Sequence, residues 1–150
     1  MEIHYRKMAE PDLDVFIQMR ICQLQEEGAQ SDEDLREPLK NYYMKHLQDN
    51  TFVSWLAIDN GKIIGTSGVS FVEKPPYYGC LSGKIGLLSS MFVVKEYRRQ
   101  GIAKTLLDKV VKEAKKVGCD VIQITGSDMG VLLYSDYGFK RNDNFMYYEI

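Results

Sequence analysis

The hydrophobic period of this chain changes at Thr51, and that change sets the fold class. Before it, Leu13, Phe16, Ile17, Arg20, Ile21 and Leu24 recur at helical spacing, followed by Leu35, Leu39, Tyr42, Tyr43, His46 and Leu47. Each stripe repeats every three or four residues, as a helix with one buried face requires. After it, FVSWLAID (52–59) and KIIGTSGVSF (62–71) are strand-like runs joined by Asn60-Gly61. Asn-Gly supplies the positive φ of a tight turn between paired strands, so a β-hairpin is predicted there. Helices with one apolar face, followed by a hairpin, need a sheet to pack on.

The remaining elements follow from the same signals. Residues 2–8 alternate loosely and read as a first strand. Glu10-Pro11-Asp12 starts the first helix, which Gly28 stops after about Glu27. Ser31 to Asp34 caps the second helix, with Pro38 early enough to be tolerated. KPPYYGCLSGK (74–84) reads as a surface loop and IGLLSSMFVV (85–94) as a mostly buried strand. Gly101 to Val117 is strongly amphipathic and ends at Gly118. CDVIQITGS (119–127) is a strand, MGVLLYSDYGF (129–139) a short helix closing at Gly138, and FMYYEI (145–150) a last strand. With no repeat, linker or low-complexity tract, residues 1–150 form one α/β domain.

Composition excludes several classes of function. The net charge is −2, so no overall basic field exists to hold nucleic acid or an anionic membrane. Cys22, Cys80 and Cys119 are odd in number and widely spaced, without a CxxC pair or a Cys/His cluster. They read as reduced thiols in a cytoplasmic protein, and no metal is expected. The opening MEIHYRKMAEPD has no apolar leader region, and no run approaches the ~18 apolar residues of a membrane span. No membrane association is expected.

Positive charge is instead local, at YRRQGIAKT (97–105), between a strand and the strongest helix. The first N–H groups of a helix lack internal partners, and its dipole favours an anion there. Gly101 lets a ligand approach the backbone closely, and Ala103 leaves the first turn unobstructed. The amides of Arg99, Gln100, Gly101, Ile102, Ala103 and Lys104 are therefore candidates to hold a pyrophosphate, with Arg98 and Arg99 adding charge. The alternative is an ordinary strand–helix corner with solvated arginines. The stretch is neither GxxxxGK[ST] nor GxGxxG.

Val94 to Ala103 resembles the acetyl-CoA signature of the GNAT N-acetyltransferase superfamily, Q/R-x-x-G-x-G/A. LYSDYGF (133–139) resembles the L-Y-x-x-x-G-F ending of the same superfamily. Their order and separation match, as does the element order along essentially the whole chain. The resemblance implies a mixed, mostly antiparallel sheet of six to seven strands, splayed in the middle and flanked by about four helices. It implies acetyl-CoA as co-substrate, with its pantetheine arm paired to the main chain of Phe92, Val93 and Val94. It also implies that Tyr134 protonates the departing thiolate; half-buried packing is the alternative for this tyrosine. A homodimer is a further expectation of the resemblance, with the aromatic tail the place to look.

Two departures from the family pattern stand out. Where relatives carry Asn and Ala ahead of the tyrosine, this chain has Ser127 and Gly130; Ser127 can still hydrogen-bond the pantetheine. Some relatives place a glutamate base on the strand before the signature, but Leu88-Ser89-Ser90-Met91 has no carboxylate. Glu26, Glu27 and Glu73 are candidates in its place, with solvated surface acids the plainer reading. Arg20, on an apolar stripe, needs an acidic partner or faces the substrate cleft. Tyr42, Tyr43, Tyr77 and Tyr78 are candidate cleft residues.

The expectation is direct acetyl transfer to the primary amine of a small molecule or peptide. No Cys–His pair suggests a covalent intermediate, and His4 and His46 have no telling partners. A catalytically silent acyl-CoA-binding sensor or assembly domain is the alternative. Loop 74–84, with Lys74 and Lys84 and no acid, disfavours a polycationic acceptor.

Overall fold

A computed structural model of the chain describes residues 2–124, 130–142 and 146–150. Strand β1 (His4–Lys7) leads through a 3-10 turn (Glu10–Asp12) into α1 (Leu13–Glu26), followed by α2 (Arg36–Gln48). Strands β2 (Phe52–Val53), β3 (Trp55–Asp59), β4 (Lys62–Glu73) and β5 (Lys84–Val93) come next. A 3-10 turn (Lys95–Tyr97), α3 (Ile102–Lys116), β6 (Val121–Ile124) and α4 (Val131–Tyr137) complete the described elements. The sheet runs β1-β3-β4-β5-β6, with β2 also on β4. Every pairing is antiparallel except β5 with β6, which α3 connects as a crossover.

The hairpin turns on Asn60 and Gly61, with φ of 50° and 77°, as a tight turn with two positive φ values requires. At the start of α1, the Asp12 carboxylate accepts the Ala9 N–H and pairs with both Arg6 guanidinium nitrogens, at 2.7 and 2.8 Å. That contact ties β1 to the helix. Arg6 holds the Asp12 carboxyl below its ordinary range.

The sheet separates two apolar layers. Phe16 and Ile17 of α1, Tyr43 of α2, Phe52, Leu56 and Ile58 bury together on one face, with Phe16 edge-on to Tyr43 at 5.0 Å. Ile102, Leu106, Leu107, Val110, Val111 and Ala114 of α3 bury against the other. The alternation is visible along β4, where Ile63 belongs to the first layer and Ile64 to the second. Burial of each such aliphatic side chain contributes about 1.5–3 kcal/mol. Gly65 and Gly86 let α3 lie close: a Cβ at Gly65 would meet Leu106 at 3.1 Å, and one at Gly86 would meet Ala114 at 3.2 Å.

Two sequence expectations need correction. The run 52–59 is not one strand but two, because the chain pairs with Ser70 and Val69 of β4 before Ser54 and with β1 after it. The strand expected over 145–150 does not form among the described residues. Residues 146–150 carry no strand, and Met146, Tyr147, Tyr148 and Ile150 are 77–117% exposed. Side chains this exposed bury too little surface to offset the conformational entropy of a fixed strand. No described helix is long and apolar enough to cross a membrane.

Candidate functional site

The end of β5 and the head of α3 form one side of the site. After Val94, the 3-10 turn is pinned by the Tyr97 hydroxyl, which donates to Asp59 of the hairpin at 2.6 Å. The backbone then takes positive φ at Arg99 (64°) and again at Gly101 (81°). The first main-chain bond of the helix is Thr105 N–H to Gly101 O, at 3.1 Å. The N–H groups of Arg99, Gln100, Gly101, Ile102, Ala103 and Lys104 make no hydrogen bond among the described residues. Arg99, Gln100, Gly101 and Lys104 are exposed, and open space surrounds the position a Gly101 Cβ would take. Six adjacent unpaired donors at the positive end of a fifteen-residue helix fit a pyrophosphate.

Arg98 behaves differently from its neighbour. Its side chain folds back so that Nε donates to Val93 O at 2.7 Å and a terminal nitrogen reaches Glu26 at 2.8 Å. The guanidinium also lies 5.5 Å from the centre of the Phe92 ring. Arg98 therefore fastens the turn to β5 and to the end of α1.

The ladder determines which β5 groups are free. Val94 N–H donates to Ile64 O, and Phe92 pairs with Thr66, so these alternate residues spend their main-chain bonds on β4. Val93 lies between them and turns its N–H to the opposite side. A bulge precedes it: Ser90 and Met91 both stand opposite Ser67, and Ser90 has φ of 57°. The Thr66 hydroxyl donates to Ser90 O at 2.6 Å and holds the bulge. Among the described residues the β5–β6 ladder ends at Leu88↔Ile124, while β5 runs on to Val93.

The other side of the site is built from α1, α2 and α4. Gln23 of α1 is buried, and its amide nitrogen donates to Met91 O at 3.2 Å and to Glu27 at 3.3 Å. Its amide oxygen accepts from Arg20 at 3.1 Å. The buried Tyr43 hydroxyl lies 3.5 Å from the Ser90 hydroxyl. Burial pushes the Tyr43 phenol above its ordinary range, against smaller opposing effects of Ser90 and the Arg20 charge.

Tyr134, on α4, is buried with its ring edge-on to Phe139 at 5.7 Å. Its hydroxyl makes no hydrogen bond among the described residues. Burial, and secondarily the Glu27 carboxylate, push its pKa to about 12. The phenol thus stays protonated through the neutral and moderately basic range and has a proton to give. The ring lies close over Gly130, where a Cβ would stand 2.6 Å from Tyr134 Cε2, so alanine there requires the ring to sit differently. The Ala-to-Gly departure in the sequence has this packing consequence.

Gln23 joins Glu27 to the bulge, Tyr134 feels the Glu27 charge and belongs to the apolar cluster that includes Met91, and Arg98 ties the end of α1 to the signature turn. Glu26 is occupied by Arg98. Glu73 is exposed at the far end of β4, opposite Lys84 and about seven strand residues from Phe92, roughly 23 Å away. Tyr77 and Tyr78 lie exposed in the β4–β5 loop, and Tyr42 bonds Ser70. Ser127 lies outside the described residues. Gln23 and Ser90 were not anticipated. The available signal was a line of polar residues, Arg20, Gln23 and Glu27, at spacing three and four on one face of α1. Among the described residues no three His, Cys, Asp or Glu side chains gather into a metal site.

The Acetyltransferase (GNAT) family model matches residues 16–139. N-acetyltransferase 8 of Rattus norvegicus is 35% identical over 127 residues, covering 73% of this chain and 55% of that protein. The Homo sapiens protein of that name is 33% identical, covering 72% and 45%. The chain spans about half the length of the curated relatives it matches. A predicted acetyltransferase of Clostridium acetobutylicum, solved with acetyl-CoA, is 31% identical with a TM-score of 0.95, covering 99% of this chain and 96% of that one.

Proposed function

The chain belongs to the GNAT acetyltransferase family, and from that premise we propose that it is an acetyl-CoA-dependent N-acetyltransferase acting on a primary amine. The observation that carries this reading is the run of six N–H groups from Arg99 to Lys104, unpaired among the described residues, in a chain that also holds a buried, protonated tyrosine on α4. The amides would hold the pyrophosphate, with Arg99 and Lys104 adding charge. Bound acetyl-CoA supplies a thioester whose carbonyl carbon accepts the amine nitrogen while the C–S bond breaks and sulfur keeps the electron pair.

The residues of the chain divide the remaining work. Val93 directs the one β5 N–H in this stretch that faces away from β4, and it donates to the carbonyl oxygen as negative charge develops there. Tyr134 donates to the sulfur and keeps the departing thiolate from re-attacking. A phenol at about 12 gives up its proton less readily than an exposed one, but the burial that raises it raises a neighbouring thiol as well. Glu27 accepts the proton of the arriving ammonium, so that nitrogen attacks with a free lone pair. The second amine proton leaves to water after the bond forms, and water returns a proton to Tyr134. Arg98 and Gln23 are positioning residues, holding β5 carbonyls that would otherwise compete for donors.

The test begins with calorimetric titration of the purified protein with acetyl-CoA beside Gly101→Glu, followed by an amine panel scored by thiol release. Saturable binding that the variant loses, with turnover of at least one amine, is expected. No binding by the wild-type protein would overturn the reading. Binding without turnover across the panel would favour a silent acyl-CoA-binding domain.

A further inference from the structure

We propose that the amine acceptor is an α-amino acid whose carboxylate is held by Arg20 and whose amine is presented to Glu27. This inference rests on the acetyltransferase reading above. Two arginines among the described residues are half-buried, Arg20 and Arg98. Arg98 is neutralised by Glu26 at 2.8 Å. Arg20 has no carboxylate partner among the described residues; its one hydrogen bond is to the Gln23 amide oxygen. A guanidinium withdrawn from water without an opposite charge is costly unless a ligand provides one.

The surroundings of Arg20 place it over the reacting end of β5. Gln23 bonds Arg20 through one end of its amide, Glu27 and Met91 O through the other. Those two bonds and the width of the amide put the Arg20 and Glu27 polar atoms no more than roughly 9 Å apart. An α-amino acid separates its carboxylate oxygen from its nitrogen by about 3 Å, and with a charge-assisted hydrogen bond of about 2.8 Å at each end it reaches across a gap of up to about 9 Å. The pair thus presents a cation for the carboxylate and an anion for the ammonium, in the order a zwitterion needs. The Tyr43 hydroxyl, near Arg20 and the Ser90 hydroxyl, adds a neutral donor on the carboxylate side. A simple amine, a diamine or an internal lysine of a protein would leave Arg20 uncompensated. The cation on α1 selects against them.

The experiment compares each common L-amino acid with its decarboxylated amine, such as phenylalanine with phenethylamine, at saturating acetyl-CoA. At least one amino acid should exceed its amine by tenfold or more in kcat/KM. Arg20→Gln keeps a hydrogen-bonding amide, and it should raise KM for that amino acid about tenfold or more, with kcat little changed. Arg20→Lys should recover part of the loss, and thermal melts of both variants report on folding. Equal or better turnover of the decarboxylated amines, or an unchanged KM in Arg20→Gln, overturns the proposal. Titration of the CoA-free protein with the same amino acids separates this from failure of the acetyltransferase reading. Saturable binding lost in Arg20→Gln sustains the Arg20 site even if acetyl-CoA is not used. Neither binding nor turnover of any amino acid overturns it.

Discussion

The two sides of this site are made in different ways. On the proposed cofactor side, between Val93 and Lys104, the working groups are seven main-chain N–H donors, those of Val93 and of Arg99 to Lys104, and side-chain identity matters mainly where bulk must be absent. On the proposed acceptor side, Arg20, Gln23, Glu27, Tyr43, Ser90 and Tyr134 come from α1, α2, β5 and α4, and every proposed working group but Met91 O is a side chain. A backbone site is robust to most substitutions and blind to the substrate's identity. A side-chain site converges from distant segments and can change specificity by one residue.

The largest effect should come from the position where the backbone site cannot accept a side chain of the wrong kind. Gly101 has φ of 81°, so any substitution there costs about 1–2 kcal/mol of left-handed strain. No heavy atom lies within 4 Å of its Cβ position, so strain is the whole cost of alanine. Glutamate adds a negative charge where the pyrophosphate is expected. Gly101→Glu should weaken acetyl-CoA binding at least a hundredfold by calorimetry, and Gly101→Ala no more than about tenfold. Equal losses in both variants would mean that turn geometry, not anion binding, is what the glycine serves.

Next in size is the donor that both sides share. Tyr134→Phe should lower kcat about 10²–10³-fold, with KM for acetyl-CoA changed little. With a pKa of about 12, Tyr134 stays protonated as pH rises through the neutral and moderately basic range. The wild-type pH–rate profile below about pH 11 should therefore contain no limb that Tyr134→Phe removes. A basic limb near pH 9 that vanishes in the variant would break the assignment of Tyr134 as a buried donor.

How far these two regions could be read in advance follows from how they are built. The hairpin at Asn60-Gly61, the glycine that ends α4 with φ of 119°, and the turn at Gly101 are local devices, written in adjacent residues and visible in them. The positive φ of Ser90 is not, since serine has no preference for it and the bulge arises from the register of β4 against β5. Nor is the bond from Gln23 to Met91, sixty-eight positions away, or that from Arg98 to Glu26, seventy-two away. Arg20 shows the boundary between the two cases. Its place on an apolar stripe marked it as needing a partner, but only the fold reveals that the described residues provide no carboxylate.

A smaller effect is expected from Gly130→Ala. An added Cβ would meet the Tyr134 ring at 2.6 Å, and the ring must swing away or α4 must shift. Because a side chain can yield where backbone cannot, kcat should fall about tenfold, less than in Tyr134→Phe, with acetyl-CoA affinity within a factor of two or so. Intrinsic tyrosine fluorescence is crowded here, so a crystal structure of the variant is the direct check on the ring. An unmoved ring and an unchanged kcat would show that the ring's place is not dictated by Gly130.

The smallest effect tests whether the two sides are separate at all. Arg98–Glu26 is the ion pair that spans them, with side chains 29% and 44% exposed. Pairs of this exposure are worth at most about 1 kcal/mol, and Glu26→Gln keeps an oxygen that can accept from Arg98. The variant should raise KM for acetyl-CoA and for the acceptor by less than about fivefold each. The difference from wild type should shrink as salt rises, because a half-exposed pair is screened. A loss approaching that of Tyr134→Phe would mean that the end of α1 and the signature turn act as one unit. Affinity for the donor would then depend on acceptor-side residues, and the division drawn here would fail at the residue that joins them.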